Sequence, residues 1–373
     1  MTTTATTETL LLGPGPSNVP MAVRDTLSQP VLGHLDPRFL GILETCKQQL
    51  RSLLRTDNTV TLPVSGTGSA GMEACLVNIL EPGDTIVVGQ NGVFGMRLGN
   101  LAERLGAKAV RVEQEWGRAM QLDALAAAAR EHKPKIIAVV NGETSTGVYQ
   151  PMHGLAELAC ETGALLLADC VTSLAGAPVL IDDWGVDLVY SGTQKCLNVP
   201  PGLAPVSFSE RAIASFEARQ APVPSFYLDL GEILKYVGDG QAKRAYHHTA
   251  PVGMIAALNT GLELILNEGL AARWQRHVEV SAYLIERVAS LGLEPLVPAA
   301  ERLAPLTTLK IPAGVDEAAV RARLLNDDNI ELGAGLGPLA GTVWRVGLMG
   351  INAQRDIVDH FVDRLGAAMQ ACR

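Results

Sequence analysis

A lysine and an aspartate each stand after an apolar run that is typical of a buried strand. Residues 187–198 read DLVYSGTQKCLN, where a short apolar run is followed by a small-residue turn and then by Lys195. Asp169 follows the run ALLLA at residues 164–168. Lysine and aspartate side chains are seldom buried without a partner. We therefore expect both residues to serve a function near the interior of the protein.

A lysine and an acid on neighbouring strand ends match what pyridoxal phosphate requires. That cofactor needs a lysine that forms an imine with its aldehyde, and an acid that keeps its pyridine nitrogen protonated so that the ring can accept electrons. Asp169 taken alone would be interpreted as a helix N-cap. Its pairing with Lys195 favours the cofactor instead.

A glycine-rich turn, SGTGSAG at residues 65–71, precedes a predicted helix at residues 72–80. Backbone N–H groups at such a turn favour a phosphate in front of the helix. Its glycines also satisfy the dinucleotide pattern G-x-G-x-x-G, but that site needs an acid at the end of the next strand. The next strand is followed by GQN at residues 89–91 instead. A cradle for one phosphate is therefore favoured over a dinucleotide site, and a purely structural turn stays open.

Two further residues suit the recognition of a ring and of a carboxylate. Phe94 follows another strand end and could stack on the cofactor ring, although core packing explains an isolated phenylalanine equally well. Arg345 lies in the apolar run VWRVG at residues 343–347, where a charged side chain needs a partner. A guanidinium can bind a substrate carboxylate through two hydrogen bonds, and a structural salt bridge is the alternative.

Seven short apolar runs alternate with amphipathic stretches, which predicts an α/β fold with a mostly parallel sheet covered by helices. The predicted strands lie at residues 60–64, 85–88, 109–112, 136–140, 165–168, 187–190 and 204–208. Ligands of such sheets bind beyond the carboxyl ends of the strands. The glycine turn, Phe94, Asp169 and Lys195 all follow strand ends, so we expect them to share one site with Asp169 as its acid.

The pattern changes after about residue 254. A long helical stretch to residue 291 is followed by apolar runs at residues 307–311 and 343–346, with predicted helices at residues 315–325 and at the C-terminus. We interpret this part as a smaller α+β domain.

The composition indicates a globular protein that acts on small molecules. Hydrophobic residues make up 47% and charged residues 18% of the 373 residues, and the net charge is −9 without a basic run. Nucleic acid and membranes are therefore not expected as partners, and no apolar run approaches the roughly 20 residues of a membrane span. The six cysteines form no CxxC pair, so we expect free thiols, no metal site and a cytoplasmic location. Residues 1–7 are threonine-rich and expected to be disordered.

The motifs together resemble the class V (fold type I) pyridoxal-phosphate aminotransferases, and within them the alanine-glyoxylate and serine-pyruvate group. The matching segments, in chain order, are LLGPGPSNVP, VSGTGSAGMEA, LEPGDTIVVGQNGVFG, GETSTGVYQP, LLLADCVTSLAG, YSGTQKCLNVPPG, YHHTAP and GLGPLAGTVWRVGLMG. The resemblance implies a large domain at residues 23–265, with a mostly parallel seven-stranded sheet, and a small C-terminal α+β domain at residues 266–373. Residues 1–22 are expected to pack on a partner subunit.

The resemblance also assigns the site. Lys195 would be the catalytic residue, and Asp169 would pair with the pyridinium nitrogen. Arg345 would bind the substrate carboxylate. The other implied cofactor positions are Thr67, Gly68, Ser69 and Gln194 near the phosphate, Phe94 on the ring, Thr144 near the phenolic oxygen, and Tyr246 and Thr249 reaching the phosphate of a partner subunit. Gly15 and Thr144 would also contact the substrate.

The implied activity is transfer of the amino group of L-alanine or L-serine to glyoxylate or pyruvate, in a ping-pong reaction of a homodimer with shared active sites. Ureidoglycine is an alternative donor. Cysteine desulfurases resemble the same fold but need a cysteine on a mobile loop, whereas Cys196 adjoins Lys195. The hypothesis of a nicotinamide-linked dehydrogenase is supported by the glycine turn alone. The hypothesis of a binding protein without catalysis would require Asp169, Lys195 and Arg345 to be coincident structural ion pairs.

Overall fold

The computed structural model describes residues 8–238 and 244–372. The threonine-rich lead at residues 1–7 lies outside the described residues, so its predicted disorder stays a prediction. The strands are β1 (Leu10–Leu12), β2 (Val60–Ser65), β3 (Thr85–Gln90), β4 (Lys108–Glu113), β5 (Ile136–Val140), β6 (Gly142–Glu143), β7 (Val148–Tyr149), β8 (Leu165–Asp169), β9 (Leu188–Tyr190), β10 (Leu203–Phe208), β11 (Glu294–Pro295), β12 (Leu306–Lys310), β13 (Ile330–Ala334) and β14 (Val343–Gly347).

The described α-helices connect and cover these strands. They are α1 (Met21–Leu27), α2 (Pro37–Leu54), α3 (Gly68–Val77), α4 (Val93–Arg104), α5 (Leu122–His132), α6 (Leu155–Thr162), α7 (Glu210–Glu217), α8 (Leu230–Val237), α9 (Val252–Glu268), α10 (Leu270–Ala289), α11 (Glu317–Asp328) and α12 (Arg355–Ala371). Helix α2 illustrates the local signals, because Asp36 caps it by accepting from Arg38 N (2.8 Å) and Pro37 occupies its first position. None of the helices described is both long and apolar enough to cross a membrane.

The larger sheet has seven strands in the order β2-β10-β9-β8-β5-β3-β4. Only β10 runs antiparallel to its neighbours, so the sheet is mostly parallel. Strands β5 and β8 are buried at every residue because helices cover both faces, which explains their continuous apolar sequences. The predicted α/β fold with a mostly parallel seven-stranded sheet is confirmed.

The predicted strands of this sheet agree with the observed ones to within two residues at each end. The helix after the glycine turn differs, because α3 begins at Gly68 and not at residue 72. Residues 68–71 therefore form the first helical turn. Small residues such as these can form the first turn of a helix soon after a strand ends.

A second sheet contains five strands in the order β1-β13-β14-β12-β11. The sequence patterns predicted β12 and β14 but missed β1, β11 and β13, which are short or carry little apolar alternation. Strand β1 pairs in parallel with β13 although about 320 residues separate them. The predicted single helical stretch at residues 254–291 is two helices, with Gly269 between α9 and α10.

Buried apolar side chains form two large clusters. One surrounds the seven-stranded sheet and includes residues of α2, α3 and α9. The other joins the five-stranded sheet to α10, α11 and α12, and includes Leu12 of β1 and the fully buried Trp344 of β14. The N-terminal segment thus contributes to the second core, while the domain boundary near residue 265 stays a prediction.

Candidate active site

A cavity of about 190 Å³ opens at the carboxyl ends of the parallel strands, where the topology places a ligand site. It brings together predicted residues from the ends of four strands. Its lining consists of Thr67, Gly68, Ser69, Met72, Phe94, Arg97, Asp169, Val171, Tyr190, Gln194 and Lys195. Four segments that are far apart in sequence thus meet at one end of the sheet.

Lys195 lies in the turn after β9, and the N-terminal segment holds this turn. Ser17 donates from Oγ to the carbonyl of Lys195 (2.7 Å) and from its backbone N–H to the carbonyl of Gln194 (2.9 Å). The Nζ atom of Lys195 donates to the carbonyl of Pro14. Burial, with a smaller contribution from the charge of Arg345, lowers the pKa of Lys195 to about 8. A substantial fraction of this amine is therefore neutral near physiological pH.

Gly15 lies directly against the lysine side chain. It has a φ of +100°, a conformation that favours glycine. A Cβ atom at this position would lie 2.6 Å from Cδ of Lys195. Glycine is therefore required here both for the backbone conformation and for space, and the predicted substrate-binding position adjoins the amine.

Asp169 ends β8 and is 1% exposed. In the sheet it pairs with Tyr190 of β9, whose hydroxyl donates to Oδ2 (2.6 Å). Its Oδ1 accepts from the backbone N–H of Val171 (2.9 Å), but the residues that follow form turns and no helix, so Asp169 is not a helix N-cap. Burial raises the pKa of Asp169 to about 7, although both hydrogen bonds oppose the rise. The carboxylate needs a cationic partner in the cavity to stay fully ionised.

The glycine turn leads into the N-terminus of α3. The N-cap residue Thr67 makes no side-chain hydrogen bond to the first turn, so the first amide groups of α3 remain available to an acceptor in the cavity. Gln194 lies on the same wall, and its Oε1 atom is buried without a hydrogen-bond partner in the described chain. Amide donors at a helix N-terminus suit a phosphate.

Phe94 is the second residue of α4 and its ring lines the cavity. The guanidinium of Arg97 lies 4.8 Å from the centre of that ring, and its Nη1 also donates to Oγ of Ser69 (3.4 Å). This contact is within cation–π distance. Phe94 is partly buried against the large core, so the core-packing alternative accounts for part of its surface but not for its position on the cavity wall.

Arg345 and Thr144 contact each other and are not among the residues that line this cavity, although the charge of Arg345 acts on Lys195. Arg345 is 5% exposed on β14 and donates from Nη1 to the carbonyl of Thr144 (3.2 Å) and from Nε to the carbonyl of Ala334 (2.7 Å). Across residues 8–238 and 244–372 it forms no ion pair, so the salt-bridge alternative finds no support there. Burial lowers the pKa of Arg345 to about 10. The Thr144 hydroxyl hydrogen-bonds with that of Thr172.

Tyr246 and Thr249 are not among the residues that line the cavity. Their hydroxyl groups lie 3.3 Å apart, and Tyr246 is 65% exposed. Between them, His248 hydrogen-bonds through Nε2 to Oγ of Ser65, the last residue of β2 (2.8 Å). Within one chain these two predicted cofactor residues therefore do not line the cavity that contains Lys195 and Asp169.

Sequence reasoning missed Tyr190, Arg97 and Glu143. Tyr190 could have been found, because it ends a strand that neighbours the strand of Asp169. Arg97 follows Phe94 by three positions, which places both on one side of a helix. Glu143 is a second acid at a strand end, in the segment GETST, and is fully buried. The described chain holds no group of three or more His, Cys, Asp or Glu side chains suited to a metal ion.

Comparison with known proteins identifies the group that shares these features. Residues 14–359 match the family described as aminotransferase class-V. The alanine–glyoxylate aminotransferase of Felis catus is 40% identical over 97% of this chain and 88% of its own. The (S)-ureidoglycine–glyoxylate transaminase of Bacillus subtilis is 36% identical over 93% of this chain and 87% of its own. A crystal structure of an alanine–glyoxylate aminotransferase from Nostoc sp. has a TM-score of 0.96 and 46% identity, covering 99% of this chain and 97% of that one.

Proposed function

The chain belongs to the class-V aminotransferase family, and on that premise we propose that it binds pyridoxal phosphate and transfers amino groups from small amino acids to small oxo acids. The observation that carries this proposal is the meeting of Lys195, Asp169 and the N-terminus of α3 in one cavity. These groups offer an amine, a buried carboxylate and phosphate-binding amides, which is the donor set that the cofactor needs.

The cavity fits the cofactor in its chemistry. The first amides of α3 provide hydrogen-bond donors at one end, and the side-chain amide of Gln194 lies on the same wall. Asp169 provides a buried carboxylate that is complementary to a protonated pyridine nitrogen. Phe94, backed by Arg97, provides an aromatic face for a flat ring. When bound, pyridoxal phosphate would supply an electrophilic carbon for amines and a ring that takes up the electron pair of the substrate α-carbon.

Lys195 acts as the base in this proposal. Its pKa of about 8 leaves part of the amine neutral at pH 7, so Nζ can accept a proton from a substrate carbon and return it. The contacts of Ser17 with the backbone of residues 194 and 195 hold the lysine turn in one position. Asp169 is oriented by the Tyr190 hydroxyl and provides the negative charge opposite the amine.

Arg345 binds the substrate carboxylate in this proposal. It is a buried guanidinium that donates only to two carbonyl oxygens within the described chain, so it retains donors for a carboxylate. An amino acid and an oxo acid both carry an α-carboxylate, which explains how one site can serve both half-reactions. The relatives named above support L-alanine as donor and glyoxylate as acceptor. We extend the proposal to L-serine and pyruvate.

A second donor has specific support. The Bacillus subtilis relative is named for ureidoglycine, and it covers most of the present chain at 36% identity. Ureidoglycine also carries an amine and a carboxylate, so Arg345 and Lys195 would serve it in the same way. A dehydrogenase, a desulfurase or a non-catalytic binding protein has no comparable support from the family match.

We further propose a homodimer with shared active sites in the cytoplasm. Tyr246 is 65% exposed and, with Thr249, stands away from the cavity of its own chain, as residues that serve a partner's phosphate would. Phe226 (68% exposed) and Tyr227 (47% exposed) extend the same aromatic surface through contacts with His247. All six cysteines are free thiols, which agrees with a reducing compartment.

The test is the visible absorption spectrum of the purified protein loaded with pyridoxal phosphate. A yellow band should bleach on addition of L-alanine, L-serine or ureidoglycine and return with glyoxylate. The donor that bleaches it most efficiently is the preferred one. A protein that stays colourless with added cofactor would overturn the proposal.

Lys195→Ala is the matched variant for this experiment. It should lower turnover by about 10⁴-fold or more, because it removes the amine that moves the proton. Circular dichroism in the far ultraviolet should match that of the wild type. Appreciable turnover in a folded Lys195→Ala protein would contradict the role of this lysine.

A further inference from the structure

Glu143 is a fully buried carboxylate to which the proposed reaction assigns no role. It lies on β6, just after the carboxyl end of β5, and both of its oxygens are occupied. Oε1 accepts from the backbone N–H of Ser145 (3.0 Å) and from its hydroxyl (2.6 Å). Oε2 accepts from the backbone N–H groups of Phe94 (3.1 Å) and Gly95 (3.4 Å). The four partners are all donors, which is the pattern that suits an ionised carboxylate.

These contacts cap helix α4 from outside the helix. Its N-cap residue is Gly92, which has no side chain to bind the first amides. Glu143 accepts from two of those amides, and Ser145 Oγ accepts from a third, that of Val93 (3.0 Å). A Cβ atom on Gly92 would collide with the Glu143 side chain, so the glycine is needed for this approach. The positive end of the helix dipole stabilises the carboxylate in return.

The same short segment reaches two parts of the active site. Through α4 it sets the position of Phe94, whose ring lines the cavity. Through Thr144, which lies between Glu143 and Ser145, it accepts a hydrogen bond from Arg345 (3.2 Å). Residues 143–145 thus contact both the helix that carries Phe94 and the guanidinium of Arg345.

We propose that Glu143 is a positioning residue, which holds the ring of Phe94 in place over the cofactor by fixing the N-terminus of α4. This inference rests on the proposed function, because it requires that pyridoxal phosphate occupies the cavity. Glu143 acts through Phe94 and does not itself reach the reacting atoms. A charge-assisted bond to backbone N–H groups gives a more rigid anchor than a neutral one.

Glu143→Gln is the decisive variant, because it keeps the shape but turns an NH₂ group toward at least one backbone donor. The affinity for pyridoxal phosphate should fall by about tenfold, as expected for the loss of a hydrogen bond to a charged group. The visible circular dichroism of the bound cofactor should weaken, since it reports how the cofactor is held in its asymmetric site. Both are measured by titrating cofactor-free protein with pyridoxal phosphate.

A double-mutant cycle distinguishes positioning from general destabilisation. If Glu143 acts through Phe94, then Glu143→Gln should change the cofactor affinity of a Phe94→Ala protein by less than about twofold. Additive effects of the two substitutions on affinity would overturn the proposal. Ser145→Ala frees the amide of Val93 and removes one of the two donors to Oε1 of Glu143, but leaves the contacts of Glu143 with Phe94 and Gly95, so it should give a smaller loss of affinity and dichroism. It serves as the test variant if Glu143→Gln does not fold.

Ser207→Ala is the control, because Ser207 is equally buried but lies outside the candidate site. Its hydroxyl hydrogen-bonds with Thr61 on β2 and with Asn58, which precedes that strand. It should bind the cofactor like the wild type. If the wild-type protein binds no pyridoxal phosphate, the proposed function fails and this inference fails with it. If the wild type binds but Glu143→Gln matches it in affinity and dichroism, only the role of Glu143 is refuted.

Discussion

Lys195 and Asp169 are both buried, and burial moves their pKa values toward neutrality from opposite sides. The pKa of the lysine falls to about 8 and that of the aspartate rises to about 7. Each charge loses hydration, and their mutual attraction only partly offsets the loss. A cationic group in the cavity, such as the protonated ring nitrogen of the proposed cofactor, would offset the cost of burying the Asp169 carboxylate.

Asp169→Asn should stabilise the cofactor-free protein at pH 8. The pKa of Asp169 is about 7 when folded and near 3.8 when unfolded, so between these values the folded state binds more protons. The destabilisation by the ionised carboxylate is therefore absent below about pH 3.8 and complete above about pH 7. We expect a gain on the order of 2 kcal/mol in the free energy of unfolding at pH 8 and almost none at pH 4.

Thermal unfolding of both cofactor-free proteins at the two pH values checks this expectation. The same substitution should weaken the binding of pyridoxal phosphate by about tenfold or more, because it removes the proposed partner of the ring nitrogen. A lower unfolding temperature for Asp169→Asn than for the wild type at pH 8 would show that the carboxylate stabilises the empty site.

At the scale of elements, helix α10 holds the lysine turn through a hydrogen bond to its backbone. Arg273 donates from Nη2 to the carbonyl of Cys196 (2.7 Å), one residue after the lysine. His277, one turn further, donates from Nδ1 to the carbonyl of Arg273 (2.7 Å) and accepts at Nε2 from the N–H of Gly350 (2.9 Å). His277 must be neutral to make both bonds, and burial lowers its pKa to about 3.

His277 should make the stability of the protein depend on pH. In the unfolded chain its pKa is near 6.5, so between pH 6.5 and pH 3 the unfolded state binds one more proton than the folded state. Stability is unaffected above pH 6.5 and falls by about 1.4 kcal/mol for each pH unit below it. His277→Gln, which keeps an acceptor for Gly350 but cannot protonate, should flatten this slope.

Urea unfolding of both proteins between pH 7 and pH 4.5 measures the slope. His153→Gln is the control, because His153 is exposed and its replacement should leave the slope unchanged. An equally steep slope in the His277→Gln protein would assign the pH dependence to other groups. The variant should also be less stable at pH 7, because it loses the bond to the carbonyl of Arg273.

At the scale of the whole molecule, large apolar side chains are exposed near the residues that stand away from the cavity. Tyr246 contacts the ring of His34 (5.7 Å between centroids), and the neighbouring Leu35 is 54% exposed. Val31, in the same loop, is 81% exposed. A surface of this kind is typical of a subunit interface. It agrees with the proposed dimer, in which each site would need two chains.

Subunit mixing tests the shared site. Lys195→Ala protein lacks the amine, and a Tyr246→Phe, Thr249→Ala double variant lacks the hydroxyls, so each alone should be nearly inactive. In a mixed dimer one of the two sites would have both sets intact. After random exchange of equal amounts, activity should recover to about a quarter of the wild-type value, because half of the dimers are mixed and each has one intact site.

The same mixture would stay inactive if Tyr246 and Thr249 served the site of their own chain. A double variant with normal activity and cofactor affinity would show that these hydroxyls bind no phosphate at all. Lys195→Ala mixed with wild-type protein is the control for loss of activity during the mixing procedure, and it should keep activity in proportion to the wild-type sites.

The positions along the chain of the strands of the large sheet, and the residues that follow them, could be predicted from the sequence. The strands of the large sheet are buried on both faces, so their apolar runs are local and easily recognised. Asp169 and Lys195 stand out for the same reason, because a charge next to such a run is rare. These signals depend on neighbours along the chain and on general rules of sheet topology.

The contacts that complete the site depend on segments distant in sequence. Glu143 binds the amides of α4 across about 50 residues, and Pro14 accepts from Lys195 across about 180. Strand β1 joins β13 from the other end of the chain, which no local pattern signals. Backbone amides and carbonyls occur at every residue and leave no mark in the sequence. Only the folded arrangement selects which of them meet a given side chain, because that choice follows from packing and hydrogen-bond satisfaction over the whole molecule.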